Sequence, residues 1–401
     1  MQNSGVTPII TLDITPDPLC KYEASSAPGG LVYIASVEPS FKVVHGINMP
    51  KVVKMLGSDG VRHTQLVKSN DDLRQDAVIE QLFGLANSLL SESRATRSRS
   101  LRIRTYKVVP LTRQTGVLQW VDNTQPIGEY LQSAHARFYP KDLQVQEARR
   151  MIATELSRTN STPESKLAVY NRVTSRLHPV MRFFFLENFP APDDWYVRRL
   201  TYSRSVAVSS VIGHILGIGD RHAQNILIDN RTAEVVHIDL GIAFDNGKLL
   251  PTPELVPFRL TRDVVDGMGI SGVEGVFRKC CEETLARLRE CAQVVVTILD
   301  VLKFDPLYQW TLSPTKSRKV RMRGDVDAED AADALAMLDG LQQQMQMQMQ
   351  ESNREAERAL VNIQRKLAAD LSVQSQVNDL IVMASSPSIL ARMYHGWQPY
   401  L

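Results

Sequence analysis

The chain has little cysteine: Cys20, Cys280, Cys281 and Cys291 are the only four in 401 residues. Their spacings match no zinc-ligand pattern, and so sparse a set suits a reducing compartment better than a disulfide framework. Cys280 and Cys281 fall in a helical pattern, where a thiol packs as a small apolar group. Net charge is also small, 46 Lys and Arg against 44 Asp and Glu. Composition therefore makes no case for nucleic-acid binding. No apolar run reaches the length of a membrane span, and the first residues lack a signal-peptide pattern. They also lack an obvious domain start, so the chain reads as the C-terminal part of a longer protein. What is present is 43% hydrophobic and 22% charged residues. That composition fits a soluble globular chain, long enough for more than one lobe.

The most informative stretch runs from Gly217 to Gly241. Asp220 and Asn225 stand five apart, the Asp-to-Asn spacing of a protein-kinase catalytic loop. Asp239-Leu240-Gly241 follows an apolar run, as a metal-binding Asp-Phe-Gly does. Ile226 to Ile228 and Glu234 to Ile238 read as two strands of a hairpin, which brings Asn225 and Asp239 to one place. Phosphoryl transfer needs an acceptor for the substrate hydroxyl proton and oxygen ligands for magnesium. Asp220 can supply the first; Asn225 and Asp239 can supply the second. An ordinary surface hairpin would account for any one of these residues alone, but not for the whole set.

In chain order, residues 1 to 30 are rich in Pro, Ser, Thr and Gly and predict an extended lead-in. Strand signals cover Leu31 to Ala35, Phe41 to Val44, Lys51 to Leu56 and Val61 to Lys68, with Gly57-Ser58-Asp59-Gly60 as a hairpin turn. His45-Gly46 marks a second turn, whose glycine would let backbone amides approach a phosphate. Lys68 precedes an acidic helix start, Asp71, Asp72 and Asp76, and a helix is predicted from Asp76 to about Leu90. The acidic residues suit the helix dipole, and one of them could also orient Lys68 toward phosphates. Leu101 to Val109 and Gly116 to Val121 alternate like strands, and Asp122 to Pro126 then breaks the pattern. Helical stretches follow over residues 140 to 190, and a long helix from Trp195 to Leu216 with Asp193-Asp194 as caps. Its small face, Ala207, Ser209, Ser210 and Gly213, predicts close packing, with His214 as a core histidine.

Residues Phe244 to Thr261 are broken by Pro251, Pro253 and Pro257 and predict no regular structure. Gly267 to Gly272 matches G-x-G-x-x-G, but no βαβ unit surrounds it, so a loop before a helix from Val273 to about Leu302 is expected. Residues 311 to 330 read as a linker, and the Gln/Met tract 342 to 350 as flexible helix or disorder. The tail after Leu371 has an apolar helical face and then Tyr394, Trp397 and Tyr400, which should dock on something.

With these motifs in place, the chain resembles the kinase region of the phosphatidylinositol 3-kinase-related protein kinases, the ATM type in particular. The likeness rests on Gln65-Leu66-Val67-Lys68, Asp71 to Ala77, Thr105 to Leu111, Gly219-Asp220-Arg221-His222, His237 to Gly241, Pro257 to Asp263, and Asp266 to Arg278. It ends on a tail resembling the FATC segment. The resemblance implies an α+β, two-lobed protein-kinase-like fold with a strand-rich N-lobe, a mainly helical C-lobe and a helical FATC segment. The expected divisions are 1–30 lead-in, 31–121 N-lobe and hinge strand, 122–320 C-lobe, 321–370 regulatory linker and 371–401 FATC.

Lys68 would then bind ATP phosphates, held by Asp76 with Asp71 nearby. Phe41 to Pro50, including His45 and Gly46, would be the phosphate loop. Tyr106, Leu118, Trp120 and Val121 would line the adenine pocket. Asp220 would be the catalytic base, His222 would stabilise the transferring group, and Asn225 and Asp239 would hold Mg2+, with Mn2+ as an alternative. Residues 239 to 263 would be the activation segment. Family members of this type are nuclear DNA-damage kinases that phosphorylate Ser or Thr before Gln, form homodimers, and engage a DNA-break sensor complex through N-terminal regions absent here. No direct membrane contact is expected. Rival readings are an inositol-lipid kinase, disfavoured because only Lys248 and Arg259 are basic between Gly241 and Arg262, and a pseudokinase scaffold, disfavoured by the intact Lys68, Asp220, Asn225 and Asp239.

Overall fold

The computed structural model describes residues 33–44, 48–302 and 356–401. The lead-in, the turn at His45-Gly46 and the Gln/Met tract lie outside the described residues. The chain divides into two compact units: residues up to Gln81 with Thr105–Asp122, and Leu82–Arg104 with Asn123–Leu401.

The first unit is an antiparallel sheet. Its strands are β1 (Ile34–Val37), β2 (Lys42–Val43), β3 (Lys51–Gly57), β4 (Arg62–Ser69), β5 (Val108–Pro110) and β6 (Thr115–Gln119). They run in the order β1-β3-β4-β6-β5, with β2 also paired to β3. The β3–β4 turn is tight because Gly60 takes φ 73°, and the Asp59 carboxylate accepts the Val61 N–H at 2.9 Å. On β4, Lys68 is registered against Gly116 and Leu66 against Leu118. Gly116 has no room for more: a Cβ there would stand 2.7 Å from Leu73 Cδ1 and 2.8 Å from the Val109 carbonyl. Helix α1 (Arg74–Glu92) follows β4. It is longer at both ends than its apolar spacing predicts.

The second unit is mainly helical. After α2 (Arg94–Arg97) come β7 (Thr124–Pro126), α3 (Ile127–Phe138), α4 (Val145–Leu156), α5 (Pro163–Thr174), α6 (Met181–Asn188) and α7 (Pro192–Leu216). The hairpin β8 (Ile226–Asp229) and β9 (Val235–His237) joins β7 in a small sheet. Helices α8 (Arg262–Asp266), α9 (Val276–Glu290), α10 (Ala292–Leu302), α11 (356–367), α12 (Val373–Ser385) and α13 (Pro387–Leu390) complete the described chain. The 25-residue α7 is its axis, with Ala207, Ser209, Ser210 and Gly213 all buried. Helix α9 lies close enough for Cys281 Sγ to reach the Ala207 carbonyl at 3.8 Å.

Four expectations need correction. Leu101 to Lys107 is not a strand. Leu101 and Ile103 are buried in alternation as the period demands, but the side chain of Asn87 takes both backbone groups of Ile103, donating to its carbonyl at 2.8 Å and accepting its N–H at 2.9 Å. One side chain here replaces a ladder partner. Thr124–Pro126 is a strand rather than a break. The long helix starts at Pro192, with Ala191 at the N-cap position making no side-chain cap bond and Asp193 and Asp194 in its first turn, where they complement the dipole. The helix predicted from Val273 to Leu302 is interrupted at Cys291 and becomes α9 and α10.

If Asn87 substitutes for a strand at Ile103, Asn87→Ala should leave two buried backbone groups unpaired and cost about 2 kcal/mol. Denaturant unfolding would show a lower midpoint with an unchanged slope; an unchanged midpoint would count against this account.

Candidate active site

In the first unit, Lys68 stands near the end of β4 with its ammonium 3.6 Å from Asp71, both side chains largely buried. The acidic run divides its work. Asp72 grips Arg74 at 2.6 Å, and Asp76, 2% exposed, sits in the first turn of α1. Tyr106 is buried, and its N–H donates to Glu80 Oε2 at 3.0 Å. Burial pushes the Glu80 carboxyl well above the usual range, against the pull of that N–H. Leu118 is buried on β6, whereas Trp120 is 37% exposed just beyond it and donates its N–H to the Thr64 carbonyl. A cation and an apolar strand surface thus share one sheet.

In the second unit, α7 ends at Gly217, which takes a left-handed φ of 61°. The chain then runs beside residues 242–245. Gly219 donates to Ile242, Phe244 to Leu216 and Asp245 to Gly217, at 2.8–3.0 Å. Asp220 also has a left-handed backbone, φ 54°, and its N–H donates to Glu254 at 2.6 Å. The Asp220 carbonyl accepts from Asn225 Nδ2 at 3.0 Å, which leaves the Asn225 oxygen to face elsewhere. His222 Nε2 lies 3.9 Å from the Asp220 carboxylate.

The hairpin register sets Ile226 opposite His237, and Ile238 donates to the Asn225 carbonyl at 3.0 Å, so Asn225 and Asp239 end neighbouring strands. At the far end, Asp229 caps the turn by accepting from Arg231 and Thr232 and pairs with Arg104. Burial works to raise the Asp229 carboxyl, but those bonds outweigh it and hold it low. Arg102 takes Glu234 at 2.8 Å. Leu240 is fully buried, while Asp239 before it is exposed, with φ 56°. An anchored leucine beside an exposed carboxylate presents a hard oxygen at a fixed place.

Three groups that sequence reasoning missed hold this loop. The Arg221 guanidinium, 4% exposed, donates to the carbonyls of Gly219 (2.8 Å), Ile238 (2.8 Å), Asn225 (3.3 Å) and Asp239. Arg259 donates to the carbonyls of Trp397 (2.7 Å), Gln398 (2.9 Å) and Leu401 (3.0 Å) and to that of Arg221 at 3.4 Å. Its guanidinium stacks 4.5 Å from the Trp397 ring centre, and burial pulls its pKa down to about 10. Lys366 on α11 bonds Asp245 at 2.8 Å and the His214 carbonyl at 2.8 Å. The tail therefore docks, as its apolar face predicts: Met393, Trp397, Tyr400 and Leu401 are all buried. Nothing local marks Arg259 or Lys366, because their partners are 38 to 152 residues away in sequence.

Among the described residues no three His, Cys, Asp or Glu side chains cluster as a metal cage. Asn225 and Asp239 offer a small, hard oxygen set instead. That set fits magnesium, which keeps waters and phosphate oxygens as its remaining ligands.

A strand-rich unit carrying a paired lysine, and a helical unit presenting Asp220, Asn225 and Asp239, define a protein-kinase-like fold. The family model for phosphatidylinositol 3- and 4-kinase matches residues 64–312, and that for the FATC domain matches 370–401. The chain belongs to the phosphatidylinositol 3- and 4-kinase family, and with its FATC domain it is the kinase region of an ATM-type member. It is 49% identical over 369 residues to serine/threonine-protein kinase tel1 of Neurospora crassa, covering 92% of this chain and 12% of that protein. It is 45% identical over 401 residues to serine-protein kinase ATM of Sus scrofa, covering 98% and 13%. Among solved structures, the FAT and kinase domain of CtTel1 superposes with a TM-score of 0.82 at 48% identity, covering 92% of this chain and 24% of that one. The chain spans about an eighth of the length of these curated relatives.

Arg259→Ala should free the tail. Losing charge-assisted bonds to three carbonyls costs at least about 2 kcal/mol of local opening free energy. The amides of Trp397, Gln398 and Leu401 should then exchange with solvent roughly 30-fold faster. Trp397→Ala should loosen them less, since it removes the stacked ring and keeps the guanidinium's carbonyl partners. Unchanged exchange in Arg259→Ala would reject the clamp.

Proposed function

We propose that this chain is the catalytic region of an ATP-dependent serine/threonine protein kinase. The observation that carries the reading is the Arg221-held loop, which presents Asp220, Asn225 and Asp239 from one rigid backbone frame. Asp220 accepts the proton of the substrate hydroxyl. His222 stabilises charge on the transferring group. Lys68, with Asp71 and Asp76 beside the same strand-to-helix junction, offsets phosphate charge. Tyr106, Leu118, Trp120 and Val121 accommodate the adenine, and His45 and Gly46 serve the phosphates. Asn225 and Asp239 would hold magnesium, or manganese in its place, and the bound ion would supply neutralisation of phosphate charge.

The lipid-kinase alternative finds little support in the activation segment. Of the two basic residues between Gly241 and Arg262, Arg259 is buried against the tail and Lys248 lies 3.2 Å from Asp245. Neither is arranged as a cluster for a phosphorylated headgroup. The names of the relatives favour a protein substrate. We extend this to Ser or Thr followed by Gln, with the segment after Asp239 forming the pocket for the Gln. A nuclear role in DNA-damage signalling and telomere maintenance, homodimerisation, and engagement of a break-sensor complex belong to the same proposal for the whole protein. A relative described as a complete CtTel1 dimer with C2 symmetry supports the dimer.

Asp220→Asn and Asp239→Ala should each lower kcat by about 100-fold or more while the protein stays folded. Asp239→Ala should also weaken magnesium-nucleotide binding. Lys68→Ala should raise the KM for ATP. Near-wild-type turnover in purified Asp220→Asn or Asp239→Ala rejects the assignment.

A degenerate peptide library should select Gln after the phosphorylated residue, and phosphoinositide liposomes should be poor substrates. Selection of Pro or a basic residue at that position, or efficient liposome phosphorylation, would reject the substrate class.

A further inference from the structure

The N–H of Asp220 ends on a side chain from far along the chain. Glu254 Oε1 accepts it at 2.6 Å across 34 residues. The other carboxyl oxygen is wedged between two glycines. A Cβ on Gly219 would stand 2.7 Å from Glu254 Oε2, and a Cβ on Gly247 would stand 2.6 Å from it. The Glu254 backbone is itself tied back, its N–H donating to the Gly247 carbonyl at 3.1 Å. Glu254 as a whole keeps some solvent exposure, but its carboxyl end is enclosed.

Asp220 takes a left-handed φ of 54°, a conformation that costs a non-glycine residue free energy unless the surroundings enforce it. Its N–H direction, and with it the direction of its side chain, depends on what accepts that N–H. We propose that Glu254 is a positioning residue for phosphoryl transfer, fixing the backbone of Asp220 so that its carboxylate meets the substrate hydroxyl. The proposal rests on the reading of Asp220 as the base.

The charged groups facing the Glu254 carboxyl are Asp220 and Arg221. Burial, with the Asp220 charge adding to it, pushes Glu254 up to about 7, against the pull of the Asp220 N–H and of Arg221. Its folded pKa is raised above its ordinary value. Stability from this group is therefore complete below about 4.5 and is lost as pH rises through about 7. At pH 8 the ionised carboxylate works against folding while it holds Asp220.

The test compares purified Glu254→Gln, Glu254→Leu, Gly247→Ala and Asp220→Asn at pH 8, measuring kcat, KM for ATP and peptide, and Tm. Glu254→Leu removes the acceptor. It should lower kcat at least about tenfold with both KM values within about threefold, and Tm should not fall. Glu254→Gln keeps an acceptor oxygen and should retain most of the turnover. Gly247→Ala drives a methyl against the carboxyl from outside the catalytic loop. It should lower kcat about fivefold, and it serves where Glu254→Leu does not fold. Wild-type kcat in Glu254→Leu or in Gly247→Ala overturns the proposal, as does a kcat loss that tracks a fall in Tm. So does a Gln variant as impaired as the Leu variant. Full activity in Asp220→Asn would sink the assignment of the base. An inactive Asp220→Asn beside a fully active Glu254→Leu would sink the positioning role alone.

Discussion

The second unit depends on one buried cation. Arg221 carries a permanent charge into a region where water is largely excluded, and its bonded partners are backbone carbonyls of Gly219, Asn225, Ile238 and Asp239. A charge in such a place is costly unless every donor is used. The planar fork of a guanidinium reaches four carbonyls at fixed angles, which the compact ammonium of a lysine cannot do. Because those carbonyls belong to the loop before Asp220, to the start of β8 and to the end of β9, one side chain sets the separation of three backbone segments. The catalytic frame is thus a hydrogen-bonded object first and a set of acidic side chains second.

Strain gathers around that frame. Asp220, Asp239, Phe244 and Asp245 all have left-handed backbones, with φ between 54° and 63°. Aspartate tolerates this conformation; phenylalanine does so only when held. Phe244 is held by donating its N–H to the Leu216 carbonyl at 2.8 Å, and Asp245 by Gly217 through its N–H and Lys366 through its side chain. Each such residue costs on the order of 1–3 kcal/mol. Tertiary bonds therefore have to exceed that cost. This accounts for the concentration of buried charge here. Asp263, pushed up to about 7 by burial, accepts the Val180 N–H at 2.7 Å, and Arg259 and Arg221 lie in the same region. Such groups are weak sources of net stability and strong sources of a single backbone path.

Legibility in the sequence follows the range of the interactions. The β3–β4 and β8–β9 hairpins were readable because alternation and turn residues are local. Helix α7 was readable from its length, apart from its first turn, where Pro192 outweighs Asp193 and Asp194 as the start signal. Leu101 to Lys107 was misread because period-2 burial does not show who takes the backbone hydrogen bonds; Asn87 does, from 16 residues away. At the site, Asp220, Asn225 and Asp239 stood out by spacing. Glu254, Arg259 and Lys366 did not, since each acts on a partner 34 to 152 residues distant and carries no pattern of its own. Proline-broken residues 244 to 261 looked irregular, and apart from a 3-10 helix at Asn246–Leu249 they are, but irregular backbone here is fixed backbone. Only the tertiary bonds distinguish the two.

The tail shows how such fixing extends across the unit. Arg259 reads the backbone of residues 397 to 401 rather than their side chains, since its bonds go to the carbonyls of Trp397, Gln398 and Leu401. Side-chain identity at Gln398 should therefore matter less than its left-handed φ of 55°, which helps aim its own carbonyl at the guanidinium. Trp397 is different, because its ring stacks on the cation. The same guanidinium touches the Arg221 carbonyl at 3.4 Å, and Arg221 in turn holds the Asp239 carbonyl. Two arginines in series thus connect the chain's last residues to the proposed metal ligand through bonds that tolerate little displacement.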